Sequence, residues 1–157
     1  LSGYRTVSED RYAELVASLC EAVGLPDVEH VLQTHSIEVG GLDVRLDSFD
    51  EDPDAIYLSF DFGAVTAGRI TTVYRLMLEA NLLVYAQDQA QLGLDSDYGN
   101  VVLLVRVPFA DAPTGEMLAD LLAHYSEHGA YWKQSILEAS DERFEAVVSG
   151  NFSWIRA

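Results

Sequence analysis

The groups in this 157-residue chain that could do chemistry are four histidines, one cysteine and 26 acidic side chains. His124 and His128 stand four apart, a helical spacing that can present two imidazoles to a metal ion, with Glu127 beside them. No Cys, third His or evident carboxylate partner completes such a site, so a solvated helix face is the better reading and no metal is expected. Asp50, Asp52 and Asp54 match the first ligand positions of a calcium loop. Ala55 replaces the required glycine, however, Pro53 stiffens the turn and Asp61 stands where a bidentate Glu is wanted, so this reads as an acidic hairpin loop. Cys20 sits among Val16, Leu19 and Val23, the setting of a buried inert thiol, and local spacing brings neither His30 nor His35 to it. The chain has no glycine-rich phosphate loop after a strand, no nucleophile elbow and no dinucleotide fingerprint. With so many acids on one small domain, paired carboxylates arise by chance. No catalytic residue is assigned and no cofactor is expected.

The elements that would position these residues follow from periodicity. Ser8 can cap a helix whose first turn carries Glu9 and Asp10 and whose apolar stripe is Tyr12, Leu15, Val16, Leu19 and Val23, with Gly24 and Pro26 ending it. A short connection through Val28 and Val31 leads to two strands, Ile37 to Val39 and Leu42 to Leu46, joined by Gly40-Gly41 as a two-residue hairpin turn. After the acidic loop 50–54, Ile56, Leu58, Phe60 and Phe62 share one face of a third strand. This is a three-stranded meander with one buried face. A helix from about Ile70 to Tyr85 has one stripe of Ile70, Val73, Tyr74 and Met77 and a second of Leu78, Leu82 and Tyr85, with Leu76 and Leu83 between. So short a chain has few elements to wrap a helix apolar on two sides, which predicts a dimer. Two further strands, Gln91 to Asp95 and Val101 to Val107, precede a helix capped by Thr114 and running to about Glu138, in which Gly129 is a tolerated weak point. The tail from Asp141 carries Phe144, Val147, Val148, Phe152 and Trp154, which could dock on the body or on a neighbouring chain. The chain therefore divides into a domain over 1–140 and a C-terminal extension over 141–157.

Nine Lys plus Arg against 26 Asp plus Glu give a net charge of −17. The few cations are scattered, which excludes a basic stripe for tracking nucleic acid and disfavours anionic membranes. Hydrophobic residues at 49% are enough to build a core. No apolar run is long enough to span a bilayer, no leader-like pattern opens the sequence, and a lone Cys suits a reducing compartment, so the expected location is the cytoplasm. No Met precedes Leu1 and Ser2, so the first few residues carry little weight here. What remains is an acidic α/β module that works through its surfaces rather than by catalysis.

From about Tyr12 to Leu137 the ordered pattern resembles the class I type III secretion chaperones, the Tir-chaperone or CesT-like family. The residues that carry the resemblance are Leu19-Cys-Glu-Ala-Val-Gly24-Leu-Pro26, the strand Ile56-Tyr-Leu-Ser-Phe60, Leu76-Met-Leu-Glu-Ala-Asn81-Leu-Leu83, Gln91-Leu-Gly-Leu94-Asp-Ser-Asp-Tyr-Gly99-Asn, the strand Val101 to Val107, and Trp132. The resemblance implies an α+β fold of order α-β-β-β-α-β-β-α with antiparallel strands. It implies a homodimer formed through the second helix and a neighbouring strand, which places Leu78, Leu82, Leu83, Tyr85, Val102 and Leu104 in the interface. Such proteins do no chemistry. They hold the N-terminal segment of a secreted effector extended before export, through strand addition and apolar anchors, and contact with the secretion ATPase is implied as well. On this sequence the effector groove would draw on Tyr12, Leu15, Val16 and Leu19 of the first helix and Ile37, Val39, Val44 and Leu46 of the sheet. Two other readings are a chaperone-like adaptor or regulator that binds a folded partner, and a small hydrolase or metal enzyme using His124 and His128.

Overall fold

The computed structural model describes residues 6–150. Helix α1 (Val7–Val23) begins earlier than the Ser8 cap suggests, because Thr6 and Glu9 close a reciprocal capping box. The Thr6 hydroxyl accepts from Glu9 N–H at 3.2 Å, and the Glu9 carboxylate accepts from Thr6 N–H at 2.6 Å. Gly24, at φ 76°, ends the helix in the left-handed region. The segment expected as a plain connection is a second helix, α2 (Val28–Thr34), capped by Asp27, whose carboxylate accepts from His30 N–H at 3.0 Å.

Strands β1 (Ser36–Val39), β2 (Leu42–Phe49), β3 (Asp52–Ala64), β4 (Ala90–Leu94) and β5 (Asn100–Pro108) form one antiparallel sheet in the order β1-β2-β3-β5-β4. Gly40-Gly41 makes the β1–β2 turn, as its spacing predicts. The acidic hairpin is tighter than expected, with Phe49 already paired to Asp52. The Asp52 carboxylate is also committed: Arg106 donates to it through Nε at 2.6 Å and through a terminal nitrogen at 3.0 Å, and the Tyr57 hydroxyl donates as well. The arginine first and the tyrosine second hold this carboxyl down at about 2, so Asp52 serves as the anion of a surface network across β3 and β5.

One face of the sheet carries the core, with Ile56, Leu58, Phe60 and Phe62 fully buried. Helices α1 and α4 (Gly115–Trp132) lie against one another over that face. Two glycines of α4 allow close approach, Gly115 to α1 and Gly129 to the sheet. A Cβ on Gly115 would stand 2.2 Å from the Ser18 carbonyl oxygen, and one on Gly129 would stand 2.4 Å from Leu42 Cδ1. Gly129 is therefore a packing requirement rather than a weak point.

Helix α3 (Ile70–Leu83) follows β3 and packs beside β4. After α4 the chain makes a π-helical turn over Lys133–Leu137 and then α5 (Asp141–Ser149), capped by Ser140. Two helices, α2 and α5, are thus added to the expected order. Phe144 of α5 is buried in the same core, and Val147 and Val148 pack partly buried against it. Phe152 and Trp154 lie outside the described residues. Buried Arg69 fixes this end of the chain by donating to the carbonyls of Ile136 at 2.8 Å and Ala139 at 2.6 Å and to Asp141 at 2.8 Å, with Phe144 stacked 4.4 Å from its guanidinium carbon.

Candidate functional site

The proposed groove between α1 and the sheet is filled. Val16, Leu19, Val44 and Leu46 are fully buried, Tyr12, Leu15 and Ile37 nearly so, and among the eight residues Val39 alone is half-buried. The reason is the 3.6-residue stripe of α1 itself, which meets the inner face of the sheet directly and leaves no space for another chain. Tyr12 shows how closed this contact is. Its hydroxyl donates to the Leu46 carbonyl and meets His35 Nδ1 at 2.8 Å, and burial, reinforced by Asp47, pushes the phenol up to about 12.

The open feature is the rim beside it. Leu46 N–H bonds to the His35 carbonyl at 2.9 Å, which sets the phase of the β1–β2 ladder: Ile37 and Val39 bond to β2, while Ser36 and Glu38 turn their backbone groups to the outer edge. Half-buried Val28, Leu32 and Val39 pack against the core on this side of the molecule. The Thr34 hydroxyl reaches the Ser36 carbonyl at 3.4 Å but donates more closely to the His30 carbonyl, at 2.8 Å, so an extended peptide would find backbone partners along β1 and apolar surface next to it.

Helix α3 divides as its two stripes predict, although the division falls differently. Val73, Leu76, Met77 and Ala80 face inward, while Ile70, Tyr74, Leu78 and Leu82 make an exposed row at four-residue spacing, with Leu78 71% and Leu82 77% exposed. Leu83 is exposed beside them. Tyr85 does not belong to this surface. The helix gives way to a 3₁₀ turn at Tyr85–Asp88, which carries the ring inward, where it is 1% exposed and its hydroxyl meets His128 Nδ1 at 2.8 Å. Val102 and Leu104 are half-buried on the sheet face opposite the core. They line a shallow concavity there with Ser59, Gln91, Asp61 and Arg45.

The two histidines of the i, i+4 pair do meet, with ring centroids 4.7 Å apart. His128 is tied to Tyr85, and burial followed by the neighbouring His124 lowers its pKa. Tyr125, held up at about 12 mainly by burial, donates to Asp88 at 3.3 Å in the same cluster. These contacts join α4 to the turn after α3. Sequence reasoning passed over two polar residues, Arg69 and Asn81. Asn81 carried a signal, being an amide inside an apolar helical run where an uncommitted residue would be a better helix former.

Among the described residues, no helix is long and apolar enough to cross a membrane. No curated protein matches the chain. The fold is similar to a chain in the crystal structure of the ExsC–ExsE complex, at 19% identity and a TM-score of 0.65, covering 87% of this chain and 100% of that one. It is also similar to a chain in the structure of the HopA1–SchA chaperone–effector complex, at 16% identity and a TM-score of 0.60, covering 83% of this chain and 98% of that one. The sequence pattern of the Tir chaperone protein (CesT) family matches residues 14–133. With three-quarters of its length in that match and the antiparallel α+β fold behind it, this chain belongs to the Tir chaperone protein (CesT) family.

Proposed function

We propose that this protein is a type III secretion chaperone of the bacterial cytoplasm that binds the N-terminal chaperone-binding segment of one or more effectors and keeps it soluble and ready for export. The observation that carries the reading is the family match over residues 14–133. No chemical step is involved: the work is strand pairing and apolar contact. The open edge of β1 at Ser36 and Glu38, bordered by Val39 and Leu32, supports an extended client here. The residues Tyr12, Leu15, Val16, Leu19, Ile37, Val44 and Leu46 then act from below, fixing the shape of the rim. The charge of −17 supports fast capture of a client segment bearing Lys and Arg.

A homodimer is part of the same reading. Leu78, Leu82 and Leu83 form its contact, with Val102 and Leu104 at the margin, because three exposed leucines on one helix are a poor surface to leave in water. The test of function is a pull-down from lysate of the source organism, followed by mass spectrometry and limited proteolysis of what is retained. Recovery of a secreted protein through a protease-protected N-terminal segment is the expected result. Retention of an intact folded protein with no protected segment would favour the adaptor reading instead.

A further inference from the structure

The two edges of the sheet differ in one respect that the sheet order alone does not show. Arg106 N–H donates to the Gln89 carbonyl at 3.1 Å and Asp95 N–H to the Asn100 carbonyl at 2.9 Å, which fixes the phase of the β4–β5 ladder from both ends. With that phase, Gln91 and Gly93 bond to β5, and Ala90, Leu92 and Leu94 turn their backbone groups to the outer side. Leu92 is the middle one of these three. Its N–H donates to Asn81 Oδ1 at 2.6 Å, and its carbonyl accepts from Asn81 Nδ2 at 3.1 Å. A primary amide presents a carbonyl and an N–H side by side, as a residue of a neighbouring strand does in a hydrogen-bonded antiparallel pair. We infer that Asn81 is a surrogate strand: its side chain occupies the site at Leu92 that an extended segment of another chain would need, closing the β4 edge to strand pairing and leaving β1 as the edge that accepts one.

On a strand of five residues with three outward positions, occupation of the central one leaves no two consecutive pairing sites. An incoming strand cannot gain a ladder there. The consequence for recognition is one strand-accepting edge per protomer, so an extended client has a single place and direction in which to extend the sheet. The inference stands on the ladder phase and the two Asn81 hydrogen bonds, and it holds whichever client β1 accepts.

The experiment is amide hydrogen exchange on the full chain, with sedimentation velocity beside it. In Asn81→Ala the protection factor at Leu92 is expected to fall about tenfold or more, from loss of its acceptor. Protection at Leu103, which bonds toward β3, stays unchanged. The freed edge is expected to produce concentration-dependent species larger than those of the wild type. Adding Leu94→Pro, which removes an outward N–H and no ladder bond, is expected to suppress them. Unchanged protection at Leu92, or new assembly that the proline leaves in place, would overturn the inference. Asn81→Asp and Asn81→Leu decide the case even if the alanine variant does not fold. The aspartate keeps an acceptor for the Leu92 N–H and loses only the donor to the Leu92 carbonyl, whereas the leucine has neither. The ratio of Leu92 to Leu103 protection is therefore expected to be about tenfold lower in Asn81→Leu than in Asn81→Asp. Equal ratios in the two variants refute the surrogate-strand role.

Discussion

Replacing Arg69 with alanine should cost far more than removing the carboxylate it faces. The arginine side chain is 7% exposed and its donors reach two main-chain carbonyls of the α4–α5 junction, while Asp141 is 97% exposed. Each of those charge-assisted bonds is worth about 1.5 kcal/mol or more, because truncation leaves a buried carbonyl without a donor. The stacking of the guanidinium on Phe144 adds about 1 kcal/mol. The expected loss for Arg69→Ala is therefore about 4 kcal/mol, against less than about 1 kcal/mol for Asp141→Ala, whose ion pair lies in water on one side. Urea unfolding followed by circular dichroism reads this directly. At a slope of about 2 kcal/mol per molar, the arginine variant should unfold about 2 M earlier and the aspartate variant within about 0.5 M of wild type. Equal shifts for the two variants, or a shift under about 0.5 M for Arg69→Ala, would refute the claim that buried carbonyls rather than the surface ion pair hold the C-terminal helix.

Leu78→Glu and Leu82→Glu should leave the fold within about 0.5 kcal/mol of wild type, since both residues are exposed on the protomer, yet yield monomers in sedimentation equilibrium. A soluble dimer in both would place the contact elsewhere. Gly129→Ala gains helix propensity of about 1 kcal/mol but drives a methyl into Leu42 and Phe62, so net destabilisation of about 1 kcal/mol is expected in thermal unfolding. A stabilised variant would show that those side chains move aside freely. Asp52 has its carboxyl held below its ordinary 3.8, at about 2, so its contribution is complete above about pH 4 and is lost as pH falls toward 2. Asp52→Asn should flatten the acid limb of the stability–pH curve over that window. An unchanged limb would remove the Arg106 network from the acid response.

What was legible in the sequence was facing, and what was not was closure. The alternation of Ile56, Leu58, Phe60 and Phe62 and the stripe of α1 gave strands and helix correctly, because period alone separates 2.0 from 3.6. The same stripe could not tell whether Val16 and Leu19 face a groove or a sheet already in contact with them. Helix α2 escaped notice because seven residues hold under two turns of pattern, although Asp27 after Pro26 was a usable cap signal. Tyr85 was assigned to the outer stripe by continuing α3 past its end. The tighter 3₁₀ turn changes the angle per residue there and swings the ring toward His128. Arg69 contacts residues 67 to 75 positions away, a separation at which local spacing carries no information.

These omissions concern the helix on which the proposed surfaces depend. Helix α3 has one face in the core through Val73, Leu76 and Met77, begins directly after Arg69 and its clasp on the C-terminal segment, and is stapled near its other end to the β4 edge by Asn81. A helix fixed at both ends presents Leu78 and Leu82 at a set angle. The apolar row is then a rigid surface, whereas the same leucines on a helix held by packing alone could roll inward and hide. Its polar anchors thus bear on partner selection as directly as the leucines do. Weakening Arg69, or removing Asn81 with the β4 edge blocked by Leu94→Pro, should loosen the dimer even though neither side chain belongs to the exposed row, and Leu78→Glu should loosen it without changing protection at Leu92.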